Sequence, residues 1–203
     1  MHRRALDHLS AADRTLARLI QRVGPCKLRP QHDGSPFQSL VQAVAHQQLN
    51  GKAANTILSR LIALHPGRDF PTPEDLLATP DEKLRAAGFS RAKVASLKDI
   101  AAKTADGTVP DLPALKKLPD LEIIERLTTI RGVGQWTVEM MLIFKLGRMD
   151  VLPVHDYGVR KGFTLAYRKK DLPRPVELVA HGERWRPFRS VASWYLWRAL
   201  ELK

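Results

Sequence analysis

The chain predicts an all-α fold of two helical lobes, and three observations predict it. Apolar residues recur three and four positions apart through most of the 203 residues. Ser, Thr or Asp, several times with proline next, stands before these runs, and glycine closes many of them. No stretch alternates apolar and polar residues for long enough to argue a sheet.

The elements follow in order. Ser10 and then Asp13 read as a helix start, with Leu16, Leu19, Ile20 and Val23 on one face and Gly24-Pro25 as the stop. Residues 24–35 read as a polar linker. Ser35-Pro36 opens the next helix, whose Phe37, Leu40, Val41 and Val44 keep helical spacing, and residues 46–51 end it. Lys52 to Leu64 is helical and stops at Pro66-Gly67. Thr72-Pro73 and Thr79-Pro80 each announce a short helix, and Gly88 closes the second. Ser90 caps a longer helix from Arg91 to Ala105. Pro110 to Pro119 reads as a connector, Leu121 to Leu127 as a helix, and Trp136 to Leu146 as a strongly apolar one. Met149 to Val154 reads as extended. Asp156 to Arg168, Pro175 to Trp185 and Pro187 to Leu202 complete the helices. The partition expected is a central lobe over 36–147, with 1–35 plus 148–203 forming the second lobe and a cleft between the two.

Lys and Arg number 33 against 21 acids, a net charge of +12. Such an excess fits a polyanionic partner, nucleic acid first; a solvated basic surface is the plain alternative. The single cysteine, Cys26, forms no internal disulfide and cannot supply the four ligands of an iron–sulfur cluster. No apolar run approaches the length of a membrane span, and the N-terminus lacks a signal peptide's apolar stretch. The seven histidines show no metal-ligand spacing.

Two segments carry chemistry. The first is Leu127-Thr128-Thr129-Ile130-Arg131-Gly132-Val133-Gly134-Gln135-Trp136-Thr137-Val138. It reads as a tight hairpin between helices, with Ile130 and Val133 plugging the core. The first-turn amides that follow the glycines, as far as Thr137, lack intrahelical acceptors and can bind an anion. An ordinary helix–turn–helix corner explains the glycines equally well. A dinucleotide loop does not, because no strand precedes it and the third glycine is missing. The second segment is Val151-Leu152-Pro153-Val154-His155-Asp156-Tyr157. Asp156 heads a helix, where capping alone accounts for most aspartates. A fixed carboxylate there can also stabilise developing positive charge and orient water.

Together these segments resemble the helix–hairpin–helix DNA glycosylase superfamily. The resemblance rests on the Gly132-Val133-Gly134 core, Trp136-Thr137 after it, and the later Leu152-Pro153 and Asp156-Tyr157. Arg131 stands where many members carry proline, and His155 replaces the first acid of an Asp-Asp-Tyr common in relatives. Trp185-Arg186-Pro187-Phe188-Arg189-Ser190 and Trp197 resemble the C-terminal helix of the alkylation-repair branch, the 3-methyladenine DNA glycosylase II type. The resemblance spans roughly residues 36–200.

What the resemblance implies is a monofunctional hydrolase acting in base excision repair on the N-glycosidic bond of alkylated purines such as 3-methyladenine and 7-methylguanine. Asp156 is the implied catalytic carboxylate, with Asp150 as the fallback. Trp136, Trp197 and Trp194 form the implied base pocket. Trp136 occupies the position where bifunctional members carry a lysine nucleophile, which implies no strand cleavage. Gly132, Val133, Gly134 and Thr137 are implied to hold the DNA backbone. The carbonyls of Thr128, Ile130 and Val133 are implied to hold a monovalent cation, sodium or potassium, with no cofactor otherwise required. Gln48 and Leu49, in Gln47-Gln48-Leu49-Asn50, match the intercalating wedge, although a plain polar helix end reads the same. Arg160, Lys161 and Arg189 are candidate phosphate contacts. The implied partner of this monomer is double-stranded DNA with an alkylated base, which places it in a bacterial cytoplasm at the nucleoid or in a eukaryotic nucleus. Two alternatives stay open: a non-catalytic DNA-binding hairpin module, and a glycosylase for mismatched or oxidised bases.

Overall fold

The computed structural model describes residues 2–31 and 33–202. Among them there are helices and no strands. In chain order these are α1 (Arg3–Ala12), α2 (Arg14–Val23), α3 (Pro36–His46), α4 (Gly51–Ala63), α5 (Pro73–Ala78), α6 (Asp81–Ala86) and α7 (Arg91–Ala105). Then come α8 (Leu112–Lys117), α9 (Asp120–Leu127), α10 (Gln135–Phe144), α11 (Tyr157–Ala166), α12 (Pro175–Gly182), a 3-10 turn (Glu183–Trp185) and α13 (Arg189–Ala199).

Most caps form where the sequence places them. Ser35 accepts from the Gln38 amide, Ser90 from Lys93, and Asp156 from Val159. Thr72 and Asp75 cap each other's amides as a capping box. Three expectations fail. The first helix is two, because Asp13 rather than Ser10 is the cap: its Oδ1 accepts from the Thr15 and Leu16 amides at 3.0 and 3.1 Å, and α1 precedes it. Thr79 caps nothing ahead of it, since its hydroxyl donates back to the Asp75 carbonyl at 2.7 Å. The Pro110–Pro119 connector contains α8, opened by Asp111, which accepts from the Ala114 amide at 2.8 Å, with a proline in its first turn.

The chain divides into two compact units, His32–Met141 and Met1–Gln31 with Leu142–Lys203. The expected boundary at 147 is therefore corrected. Residues 142–147 belong with the terminal segments, where the Phe144 carbonyl accepts from the Gln31 amide at 2.7 Å and the Phe144 ring stacks on Trp197.

In the contiguous unit, α7 is the central helix, packed against α3, α5 and α6. Leu40, Leu61, Leu76, Leu97, Ile100 and Ile123 are fully buried there. In the other unit α11 packs against α13, and α2 joins both. Its core holds Leu9, Leu16, Trp185 and Tyr195. Asp13 also lies in this core: its Oδ2 accepts from Tyr167 Oη at 2.5 Å, His181 Nε2 at 3.0 Å and Trp185 Nε1 at 3.0 Å.

The α11–α13 seam depends on Gly162. A Cβ at that position would lie 1.9 Å from the Leu196 carbonyl oxygen, a backbone atom that cannot swing aside. Gly162→Ala is expected to force the two helices apart and cost about 2–3 kcal/mol, read as a shift in the denaturant midpoint.

Candidate active site

Asp156 is the N-cap of α11, and hydrogen bonds from α11 and α13 hold its carboxylate. The Val159 amide donates to Oδ1 at 2.7 Å, and Trp197 Nε1 donates to the same oxygen at 2.8 Å. Trp197 comes from α13, so the α11–α13 seam sets the carboxylate's position. The Trp197 ring is itself supported by Phe144, with centroids 5.7 Å apart and planes 28° from parallel. Gly158 makes this closure possible, because a Cβ there would meet Trp197 Cδ1 at 2.8 Å and Asp156 Oδ1 at 3.1 Å. Asp156 is half-buried and stands at the N-terminal end of α11. A capped, indole-held anion at a helix terminus can stabilise a developing cation.

Trp194 does not join Trp197. It is 8% exposed, makes an edge contact with Tyr195, and carries the Arg198 guanidinium over its ring at 5.5 Å. Its helical offset from Trp197 turns it into the core, so packing accounts for it.

Asp150, the fallback acid, is committed elsewhere. Arg189 Nε and Arg186 Nη1 donate to it at 2.6 and 2.7 Å. The same contacts remove Arg189 from the candidate phosphate ligands. Arg160 donates its Nε to the Pro173 carbonyl at 3.0 Å. Burial pushes the Cys26 thiol up, which leaves it a poor nucleophile.

The hairpin lies in the contiguous unit. Gly132 has φ +78°, in the left-handed region, and a Cβ there would meet Ser96 Oγ at 2.3 Å. A Cβ at Gly134 would meet nothing within 4 Å, so the backbone on that side is open to an approaching ligand. Among the described residues, no hydrogen bond engages the Gly132 and Gly134 amides. The other two expected contacts are internal. The Val133 amide donates to the Ile130 carbonyl at 3.0 Å, and the Thr137 amide to the Gly134 carbonyl at 3.0 Å. The Thr137 side chain is 6% exposed. Of the four expected backbone contacts, the Gly132 and Gly134 amides thus stay available to an anion among the described residues, and the Val133 and Thr137 amides bond within the turn.

Trp136 is 47% exposed at the start of α10. It lines a hollow of about 380 Å³ with Gln47, Gln48, Thr137 and Met140. Gln48 has φ +58°, rare for a residue with a side chain, and both Gln48 and Leu49 are exposed at the turn between α3 and α4. The turn is pinned from below: Lys93 Nζ donates to the Ala45 and Gln47 carbonyls at 2.9 and 2.8 Å. Gln47 Nε2 donates to the Gly132 carbonyl at 2.8 Å. Sequence reasoning missed Gly158 and Lys93, and it placed Gln47 in the wedge segment without a contact of its own. Only Gly158 left a signal, the four-residue spacing to Gly162 that lets two helices approach closely.

A family model described as HhH-GPD superfamily base excision DNA repair protein matches residues 41–187. DNA-3-methyladenine glycosylase 1 of Schizosaccharomyces pombe is 42% identical over 196 residues, 96% of this chain and 86% of that one. A solved structure of the 3-methyladenine DNA glycosylase Mag1 of the same organism, in complex with abasic DNA, superposes with a TM-score of 0.87 at 42% identity, covering 98% of this chain and 97% of that one. The crystal structure of a DNA-3-methyladenine glycosidase from Bacillus halodurans gives 0.86 at 36% identity, covering 96% and 88%.

Proposed function

The chain belongs to the HhH-GPD superfamily of base excision DNA repair proteins, and from that premise we propose that it is a monofunctional DNA glycosylase for alkylated purines. The observation that carries the reading is the Asp156 carboxylate, held by Trp197 Nε1 and the Val159 amide at the start of α11.

The chemistry follows from that group. The C1′–N bond breaks, and its electron pair leaves with the base. A purine alkylated at N3 or N7 is already cationic, so it departs neutral and needs no acid. The deoxyribose becomes an oxocarbenium ion, which the Asp156 carboxylate stabilises while water attacks C1′ and releases a proton. The products are a free base and an abasic site. Trp136 stands where a lysine would be needed for strand cleavage. The exposed ring of Trp136 and the half-buried ring of Trp197 offer faces for a cationic base, each such contact worth about 1–2 kcal/mol when desolvated.

The Gly132 and Gly134 amides hold a phosphate of double-stranded DNA bound to the monomer, with Gln48 and Leu49 as the wedge. The Thr128 and Val133 carbonyls carry no hydrogen bond among the described residues, and the Ile130 carbonyl accepts one, from Val133. This all-oxygen set suits a monovalent cation, sodium or potassium, which would add positive charge beside that phosphate. The protein works wherever the cell keeps its DNA, the nucleoid or the nucleus.

Incubation with methylated duplex DNA is expected to release free 3-methyladenine and 7-methylguanine, identified by chromatography, with the strands left uncut. Binding without release of any base supports the non-catalytic module instead. Faster release of an oxidised or mismatched base in competition supports the other glycosylase class.

A further inference from the structure

Three side chains of α7 stand at successive steps of three residues, and each serves the apparatus beside it. Lys93 holds the carbonyls of Ala45 and Gln47 beneath the α3–α4 turn. Ser96, 5% exposed, backs Gly132, its Oγ filling the place a Cβ would take. Asp99 Oδ2 accepts from the Arg131 amide at 2.7 Å. One side of one helix therefore carries both the wedge turn and the hairpin.

Gln47 closes the arrangement from above. Its side chain donates to the Gly132 carbonyl at 2.8 Å, and the amide of the same peptide unit donates to the Ile130 carbonyl at 3.0 Å. That peptide plane is fixed at both ends. The two glycine amides left for a phosphate lie on the peptide units either side of it. Gln48 and Leu49, the exposed residues of the turn, follow Gln47 directly.

We propose that Gln47 is a positioning residue that locks the wedge turn to the phosphate-binding hairpin, so that gripping the backbone and filling the vacated stack occur as one event. The inference rests on the glycosylase reading above. Extruding a paired nucleotide costs a few kcal/mol. A wedge that can shift relative to the phosphate grip loses part of that energy as motion. A wedge tied to the grip by a hydrogen bond delivers it to the duplex. The tie matters only while there is a base pair to open, and that separates it from a general structural role.

The test compares wild type with Gln47→Met, which keeps the side chain's length, removes the donor and adds no charge near DNA. Single-turnover release of 7-methylguanine is measured from a duplex in which the lesion pairs with cytosine, and from the same strand with the lesion inside a three-nucleotide unpaired bubble. Release from the paired duplex is expected to fall about fivefold, the loss of one neutral hydrogen bond, and release from the bubble by less than twofold. The melting temperature is measured alongside. Equal losses on both substrates, or no loss on either, overturn the coupling while leaving the glycosylase reading intact. Wild-type protein that frees no base from either substrate overturns the glycosylase reading, and the coupling with it.

Discussion

Replacing Asp156 by Asn should reduce base release from methylated duplex DNA by at least about 10³-fold while leaving the fold and DNA binding in place. The substitution separates two roles that one side chain combines here. As a helix cap, asparagine ranks with aspartate, and its Oδ1 can still accept from the Val159 amide and from Trp197 Nε1. The stability change is therefore expected to stay below about 1 kcal/mol. What asparagine lacks is the negative charge that an oxocarbenium ion needs. Single-turnover excision gives the catalytic effect, and titration of an abasic duplex gives the binding. Excision within tenfold of wild type means that Asp156 only caps its helix.

Asp13→Asn should cost about 3–5 kcal/mol of stability. The Asp13 carboxylate accepts five hydrogen bonds: the Thr15 and Leu16 amides on one oxygen, Tyr167, His181 and Trp185 on the other. An asparagine turns an NH₂ toward one of those sets and leaves its donors facing a donor. Burial by itself would raise the carboxyl group's pKa, but the hydrogen bonds from His181, Tyr167, Trp185 and the Leu16 amide outweigh it and hold the group well below its ordinary 3.8. The folded protein therefore keeps this charge to lower pH than the unfolded chain does. Its stabilising contribution is complete at neutral pH, starts to fall as the pH drops through about 4, and keeps falling in stronger acid. Denaturant titrations from pH 7 to pH 3 should show a steeper acid loss in wild type than in the variant. Parallel curves would assign the acid sensitivity to other groups.

The hairpin and the carboxylate were legible because both are set by local rules. Gly132 needs a left-handed backbone, and Asp156 stands immediately before a helix; each leaves a short signature. The helical class was legible for the same reason, with caps at Ser35, Thr72 and Ser90 marking real starts. What stayed hidden depends on residues far apart in the chain. Asp13 reads as part of a helix start, yet its partners lie at 167, 181 and 185, and no periodicity announces them. Arg189 reads as a phosphate ligand until Asp150 is seen against it. Trp194 and Trp197 look equivalent by spacing, but a three-residue step on a helix is a turn of 300°, enough to bury one and leave the other at Asp156. Gln47 and Lys93 look like ordinary polar residues, and their roles come from carbonyls that folding brings to them.

The unit that carries Asp156 is stitched from both ends of the chain, and this orders its birth on the ribosome. Its first two helices emerge early, but Asp13 meets Tyr167, His181 and Trp185 only after the last quarter has been translated. The inner block is continuous and can settle while synthesis is still under way. The unit that carries the hairpin can therefore fold before the unit that carries Asp156, whose core closes only once Tyr167, His181 and Trp185 have emerged.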